Sequence, residues 1–153
     1  MKNSPLQLER YYLSEVHFEA NDALPATQPL PDLNLESTVE VRRHSDDERR
    51  YRVQLKVSFQ PVSPDLVHQK GIVTFVGYFA VVPPYPLEKV LMLVETNGPS
   101  VLFGAAREMF CTITARGPWG MVTLPSQSFY HNPAPSVAGN NPPAISETPT
   151  PTR

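Results

Sequence analysis

The sequence predicts an α+β domain: a four-stranded antiparallel sheet with helices packed on one face, followed by a Pro-rich tail. Two observations carry this. Four runs with strand periodicity all precede the segments with helical periodicity, the order expected when helices gather on one side of an antiparallel sheet. Proline is in excess, 18 of 153 residues, and it falls between the runs and in the tail rather than inside them.

The first run, Leu6–Ala20, alternates. Leu6, Leu8, Tyr12, Val16 and Phe18 fall on one face and Gln7, Glu9, Glu15, His17 and Glu19 on the other, the period of a half-buried strand. Tyr11 and Leu13 interrupt the polar face, so both sides of its middle are expected to be covered. Asn21–Pro31, with three prolines, reads as a loop. Leu33, Leu35, Val39 and Val41 then alternate with polar residues, and Tyr51, Val53, Leu55, Val57 and Phe59 repeat the pattern. The charged segment between them lacks an Asn-Gly or Asp-Gly turn, which predicts a longer hairpin tip. The fourth run, Gly71–Val82, is apolar on both faces, as in a strand covered on both sides. Gly77 inside it marks a bulge or a close backbone approach.

Pro83, Pro84 and Pro86 end the sheet. Leu87–Glu95 is rich in helix formers, and Asn97-Gly98-Pro99 is read as a break. Ser100 is then a fair N-cap for a main helix in which Leu102, Ala105, Ala106, Met109, Phe110 and Ile113 recur at spacings of three and four. Arg116, Gly117 and Pro118 are helix-stop chemistry. Trp119–Tyr130 reads as an extended apolar arm lying on the body. The domain is set at residues 1–131, with 132–153 a disordered Pro/Thr/Ser-rich tail holding Pro133, Pro135, Pro142, Pro143, Pro149 and Pro151. About 130 residues remain to bury a core.

Composition narrows the function. Thirteen basic against 15 acidic residues give a formal charge of −2, which does not suggest a nucleic-acid or anionic-membrane binder. The single cysteine, Cys111, cannot form a disulfide framework and fits a reducing, cytoplasmic setting. The N-terminus turns charged and aromatic before a signal-peptide core forms, and no apolar stretch is long enough to insert in a membrane.

The search for catalytic groups returns little. His17, His44, His68 and His131 are scattered, with no metal-binding pair at helical spacing. Cys111 lies among core-spaced residues with no histidine nearby in sequence, and Arg107-Glu108 reads as an ion pair. Gly117–Gly120 lacks the serial glycines and lysine of a phosphate loop. The Arg42–Arg52 cluster interleaves Asp46, Asp47 and Glu48, so a weak net field and a solvated hairpin tip are expected. No catalytic residue, metal or cofactor is assigned. What stands out is a surplus of large apolar residues late in the chain, more than one sheet face and one helix face require. They are expected to form core, subunit interface or a groove for apolar ligands or extended polypeptide.

The stretch from Pro99 through Leu102-Phe103, Ala106-Arg107-Glu108 and Arg116-Gly117 to Leu124-Pro125 and Phe129 resembles the signature of the SecB family of protein-export chaperones. Val16–Asn21 is similar to the end of that family's first strand, and Gly77-Tyr78-Phe79 to its Gly-x-Phe. The likeness spans residues 6–130. It implies a dimer of dimers, a homotetramer without cofactor or catalysis, that holds unfolded or export-bound polypeptide on a hydrophobic groove without ATP. Phe75, Tyr78, Phe79, Val82, Met92, Phe103, Phe110, Trp119 and Met121 are the groove candidates. The resemblance also implies SecA as a partner, met by acidic residues on the exposed sheet face, and here Glu15 and Glu19 stand at two of those positions. A third falls near Ile72, where the acid is missing, and the family's C-terminal helix and basic tail have no counterpart from Pro133 onward. Those departures point to a second possibility, a SecB-like chaperone dedicated to one partner such as an antitoxin. A third is an oligomeric interaction module that spends the apolar surface on assembly. For an enzyme acting on a small apolar ligand, only Cys111 and Tyr78 offer polar groups.

Overall fold

A computed structural model describes residues 3–21, 32–63, 65 and 67–130. The Pro-rich tail and most of the Asn21–Pro31 loop lie outside the described residues. The elements are β1 (Leu6–Ala20), β2 (Leu33–Arg43), β3 (Arg50–Pro61), β4 (Gln69–Val81) and α1 (Val90–Thr114), with a 3-10 turn at Leu87–Lys89 leading into α1. The four strands form one antiparallel sheet in the order β1-β4-β3-β2, with α1 on one face.

Strand alternation sorts side chains between the two faces. On the helix side, Val53, Leu55, Val57 and Phe59 of β3 and Val73, Phe75, Phe79 and Val81 of β4 are buried. They pack against Val90, Val94, Leu102, Phe103, Ala106 and Phe110 of α1. Phe59 and Phe110 meet edge to face at 4.9 Å, an arrangement favoured by their quadrupoles. The backbone of β4 needs its glycines here. A Cβ at Gly77 would come within 2.9 Å of Leu102, so Gly77 is a close approach and not a bulge.

The bulges lie on β1 instead. Its register with β4 slips between Leu8 and Arg10 and again between Leu13 and Glu15. Each extra residue reverses the alternation, so Tyr11 and Leu13 join Leu6, Leu8, Val16 and Phe18 on the helix side. Tyr12 turns to the outer face, opposite Val76. The single phase expected along the strand, with Tyr12 on the face of Leu8 and Val16, is corrected by these two slips.

The helical segment is also corrected. Leu87–Lys89 is a single turn of 3-10 helix, and α1 runs unbroken through Asn97-Gly98-Pro99 for 25 residues. Burial on both sides of the expected break, Val90 and Val94 before it and Leu102 to Phe110 after it, outweighs the missing proline N–H. The side chains around the proline serve the helix from within: Asn97 Nδ2 donates to the Leu93 carbonyl and Ser100 Oγ to the Thr96 carbonyl. Ser100 is therefore not a cap. Gly98 lets the helix settle against Val53, whose Cγ2 would lie 3.1 Å from an added Cβ.

Residues 119–130 form the expected arm, pinned at several points. The Thr114 hydroxyl donates to the Phe110 carbonyl at 2.6 Å and accepts from the Val122 N–H at 2.8 Å. Leu124 is buried, Phe129 packs edge on to Phe103, and Gln127 Nε2 donates to the Ser37 hydroxyl on β2. The arm thus covers the sheet on the β2 side, while α1 covers β3 and β4. The helix side of β1 keeps the least cover.

Candidate functional site

That uneven cover leaves a trough between the edge strand β1 and α1. A hollow of about 260 Å³ there is lined by Leu8, Tyr11, Val101, Leu102, Gly104, Ala105 and Glu108. Apart from Glu108 its walls are apolar, and they are accessible: Tyr11 is 53% exposed and Val101 46%, and Leu8 is exposed as well. Val101, Gly104 and Glu108 recur at one helical face, and a Cβ at Gly104 would meet nothing within 4 Å. β1 is an edge strand of 15 residues, so one side of its backbone has no neighbouring strand among the described residues. An apolar trough beside an open strand edge can take up extended chain through side-chain burial and main-chain hydrogen bonds together.

The nine groove candidates are not brought together. Phe75, Phe79, Phe103 and Phe110 are interior residues of the core, each 4% exposed or less. They join sheet to helix and would meet a ligand only if the core opened. Tyr78 lies on the outer sheet face, opposite Arg10 and Arg52. Val82 follows the end of β4, Met92 is in the first turn of α1 and Met121 is on the arm, all exposed but well separated along the fold. Trp119 is half-buried, its Nε1 donating to the Asn21 carbonyl and its ring edge on to His68 at 5.8 Å. The trough residues Leu8, Tyr11 and Val101 were not among the candidates. One signal marked them: apolar residues on both faces of β1, and Val101 lying off the core spacing of the helix.

The outer face is polar and ordered in rows across the strands. Glu15 and Glu19 share it, as their spacing requires, but both are occupied. Glu15 accepts from the Thr74 hydroxyl at 3.0 Å and lies 3.5 Å from Lys56 Nζ. Glu19 lies 2.9 Å from Lys70 Nζ and 3.0 Å from His17 Nε2. The hydrogen bond from Lys70, then that from His17, holds the Glu19 carboxyl below its ordinary range. Ile72 sits between His17 and Ser58 on this face. At the opposite end Arg10, Tyr78, Arg52 and Arg42 form one row, from β1 to β2.

Of the two residues weighed for chemistry, the half-buried Cys111 Sγ donates to the Val122 carbonyl at 3.4 Å, which ties helix to arm. Tyr78 is far from it, on the other face. Among the described residues no three His, Cys, Asp or Glu side chains gather as a metal site, and no helix is long and apolar enough to cross a membrane.

No family model matches the sequence, and no curated protein matches it. Among solved structures, the chain is similar to the SecB-like chaperone of Mycobacterium tuberculosis, solved in complex with a ChAD peptide from an antitoxin. The TM-score is 0.61 at 17% identity, over 80% of this chain and 88% of that one. A protein of unknown function from Streptococcus agalactiae aligns over 78% of this chain and 96% of that one, at 17% identity and a TM-score of 0.44. The sheet order, the single long helix and the length of the match give this chain the SecB-like fold.

Proposed function

We propose that this chain is a chaperone that holds extended or unfolded polypeptide without ATP, and that the trough between β1 and α1 is where client chain lies. The observation that carries this reading is the exposed apolar wall of Leu8, Tyr11 and Val101 alongside an open strand edge. Burial of such a wall supplies about 25 cal/mol per Å², and added main-chain pairing along β1 contributes without demanding a particular sequence. Several weak subsites in series give useful affinity by avidity. The same surface serves assembly into a homotetramer, with client occupying what the subunits leave open.

Between general export and service to one partner, two observations favour the dedicated role. Glu15 and Glu19 are already paired with Lys56 and Lys70, which weakens the acidic patch that SecA would need. The Mycobacterium tuberculosis chaperone of similar fold was solved with an antitoxin peptide.

The test is light scattering from a chemically denatured model substrate diluted into buffer without nucleotide. The wild type at molar excess suppresses the scattering, and Tyr11→Glu combined with Val101→Glu abolishes suppression while the circular dichroism spectrum is kept. Unchanged scattering with the wild type would sink the holdase reading.

A further inference from the structure

We propose that the outer face of the sheet carries, at its hairpin end, a docking site for an acidic polypeptide segment, built from Arg10 and Arg52 around Tyr78. The site is on the face opposite the trough, and its argument is independent of the chaperone reading.

Strand register puts Arg10, Tyr78, Arg52 and Arg42 side by side on four successive strands, and Arg50, Glu9 and His44 line the same cavity of about 540 Å³, which Arg43 borders from a helix-side position in register with Tyr51. Two of the five arginines are neutralised. Arg42 pairs with Glu40, and Arg50 lies 3.2 Å from Glu9 and 3.4 Å from Asp47. Arg10, Arg43 and Arg52 have no carboxylate within ion-pair distance among the described residues. Instead Arg10 stacks over the Tyr78 ring at 4.4 Å, a cation–π contact that fixes its plane. Arg52 donates to the Gln54 side-chain oxygen at 2.8 Å.

Cancellation at this tip is therefore partial: Arg42 and Arg50 are paired with Glu40, Glu9 and Asp47, and the outer-face row gains an unpaired Arg10 from β1, a residue distant in sequence from the hairpin. The phenol of Tyr78 is held by the same row of side chains. Its hydroxyl accepts first from Tyr12 and then from Arg52 and Arg10, which together hold it below its ordinary range.

The geometry selects the class of ligand. Four strands at about 4.8 Å spacing make the row roughly 14 Å long, the reach of a few residues of extended chain. Fixed guanidinium forks suit carboxylates spaced along such a segment. A long polyanion is a poorer match, because the chain as a whole carries a charge of −2 and the positive potential is confined to one end of one face.

The experiment is fluorescence anisotropy with the full chain and a labelled peptide of about eight residues alternating Glu and Gly, in roughly 50 mM and 500 mM salt. The expected result is saturable binding at low salt, lost at high salt, with the Gln-for-Glu peptide weaker by about tenfold or more. Arg52→Gln and Arg10→Gln each weaken the Glu peptide by about tenfold. Arg10 is exposed on the edge strand, so its variant keeps the fold. Lys56→Gln, on the same face outside the cavity, leaves the affinity as it was. Equal binding of the two peptides, no effect of either arginine change, or tighter binding of a single-stranded oligonucleotide of equal charge would each overturn the proposal.

Discussion

Gly71 shows how little room the core leaves at single positions. A Cβ there would fall 2.6 Å from Phe59 and 2.9 Å from Phe110, the two rings that pack edge to face beneath α1. Gly71→Ala forces that pair apart, and a loss of about 1–3 kcal/mol is expected from overpacking, read from the midpoint of chemical denaturation. Phe110→Ala leaves a cavity at the same place and is expected to cost about 3–5 kcal/mol. It should weaken client holding only through stability, since the ring is interior. Glu19 gives a residue-scale prediction in pH. Lys70 and His17 hold its folded pKa below the ordinary value of 4.5, so the stabilisation is present above the unfolded pKa and disappears as pH falls through the folded one. The wild type should therefore exceed Glu19→Gln in stability near neutral pH, by a small margin because the pair is exposed. As pH falls through that lowered pKa the margin should close, which denaturation midpoints along a descending pH series would show.

At the scale of elements, the unbroken α1 makes a prediction that a two-helix reading does not. Ser100 bonds back to the Thr96 carbonyl inside the helix, so Ser100→Ala should alter stability by about 0.5 kcal/mol or less, alanine being the better helix former. A capping serine would instead cost about 1 kcal/mol. The four strands and the arm were legible because their periodicity is local. Each buried residue of β3 follows its neighbour at a spacing of two, and no distant contact is needed to see it. The phase of β1 was not legible, because bulges depend on the partner strand, and Tyr11 and Leu13 were the only trace of them. The continuity of α1 was hidden for a related reason. Pro99 is a local signal for a stop, whereas the burial that overrides it comes from Val53, Phe79 and the rest of the sheet. The candidate site suffered most, since large apolar residues such as Phe75 and Phe103 look alike in sequence whether they fill the core or line a groove.

For the whole molecule, the decisive property is the division of labour between the two faces. The helix side buries a core and leaves an apolar trough at its β1 margin. The outer side is polar, with paired acids at one end and, at the other, a row of arginines of which Arg10 and Arg52 have no carboxylate partner among the described residues. If the trough is spent on assembly alone, the intact oligomer should not light up a hydrophobic dye such as ANS; a trough left open for clients should. The most direct measurement is site-specific photocrosslinking, with a photoreactive side chain placed in turn at Tyr11, Val101 and, as an outer-face control, Lys56, in the presence of an unfolded client. The account predicts crosslinks to client from Tyr11 and Val101 and none from Lys56. Crosslinks from Tyr11 and Val101 to a second copy of the chain alone, with client captured nowhere or only at Lys56, would contradict it.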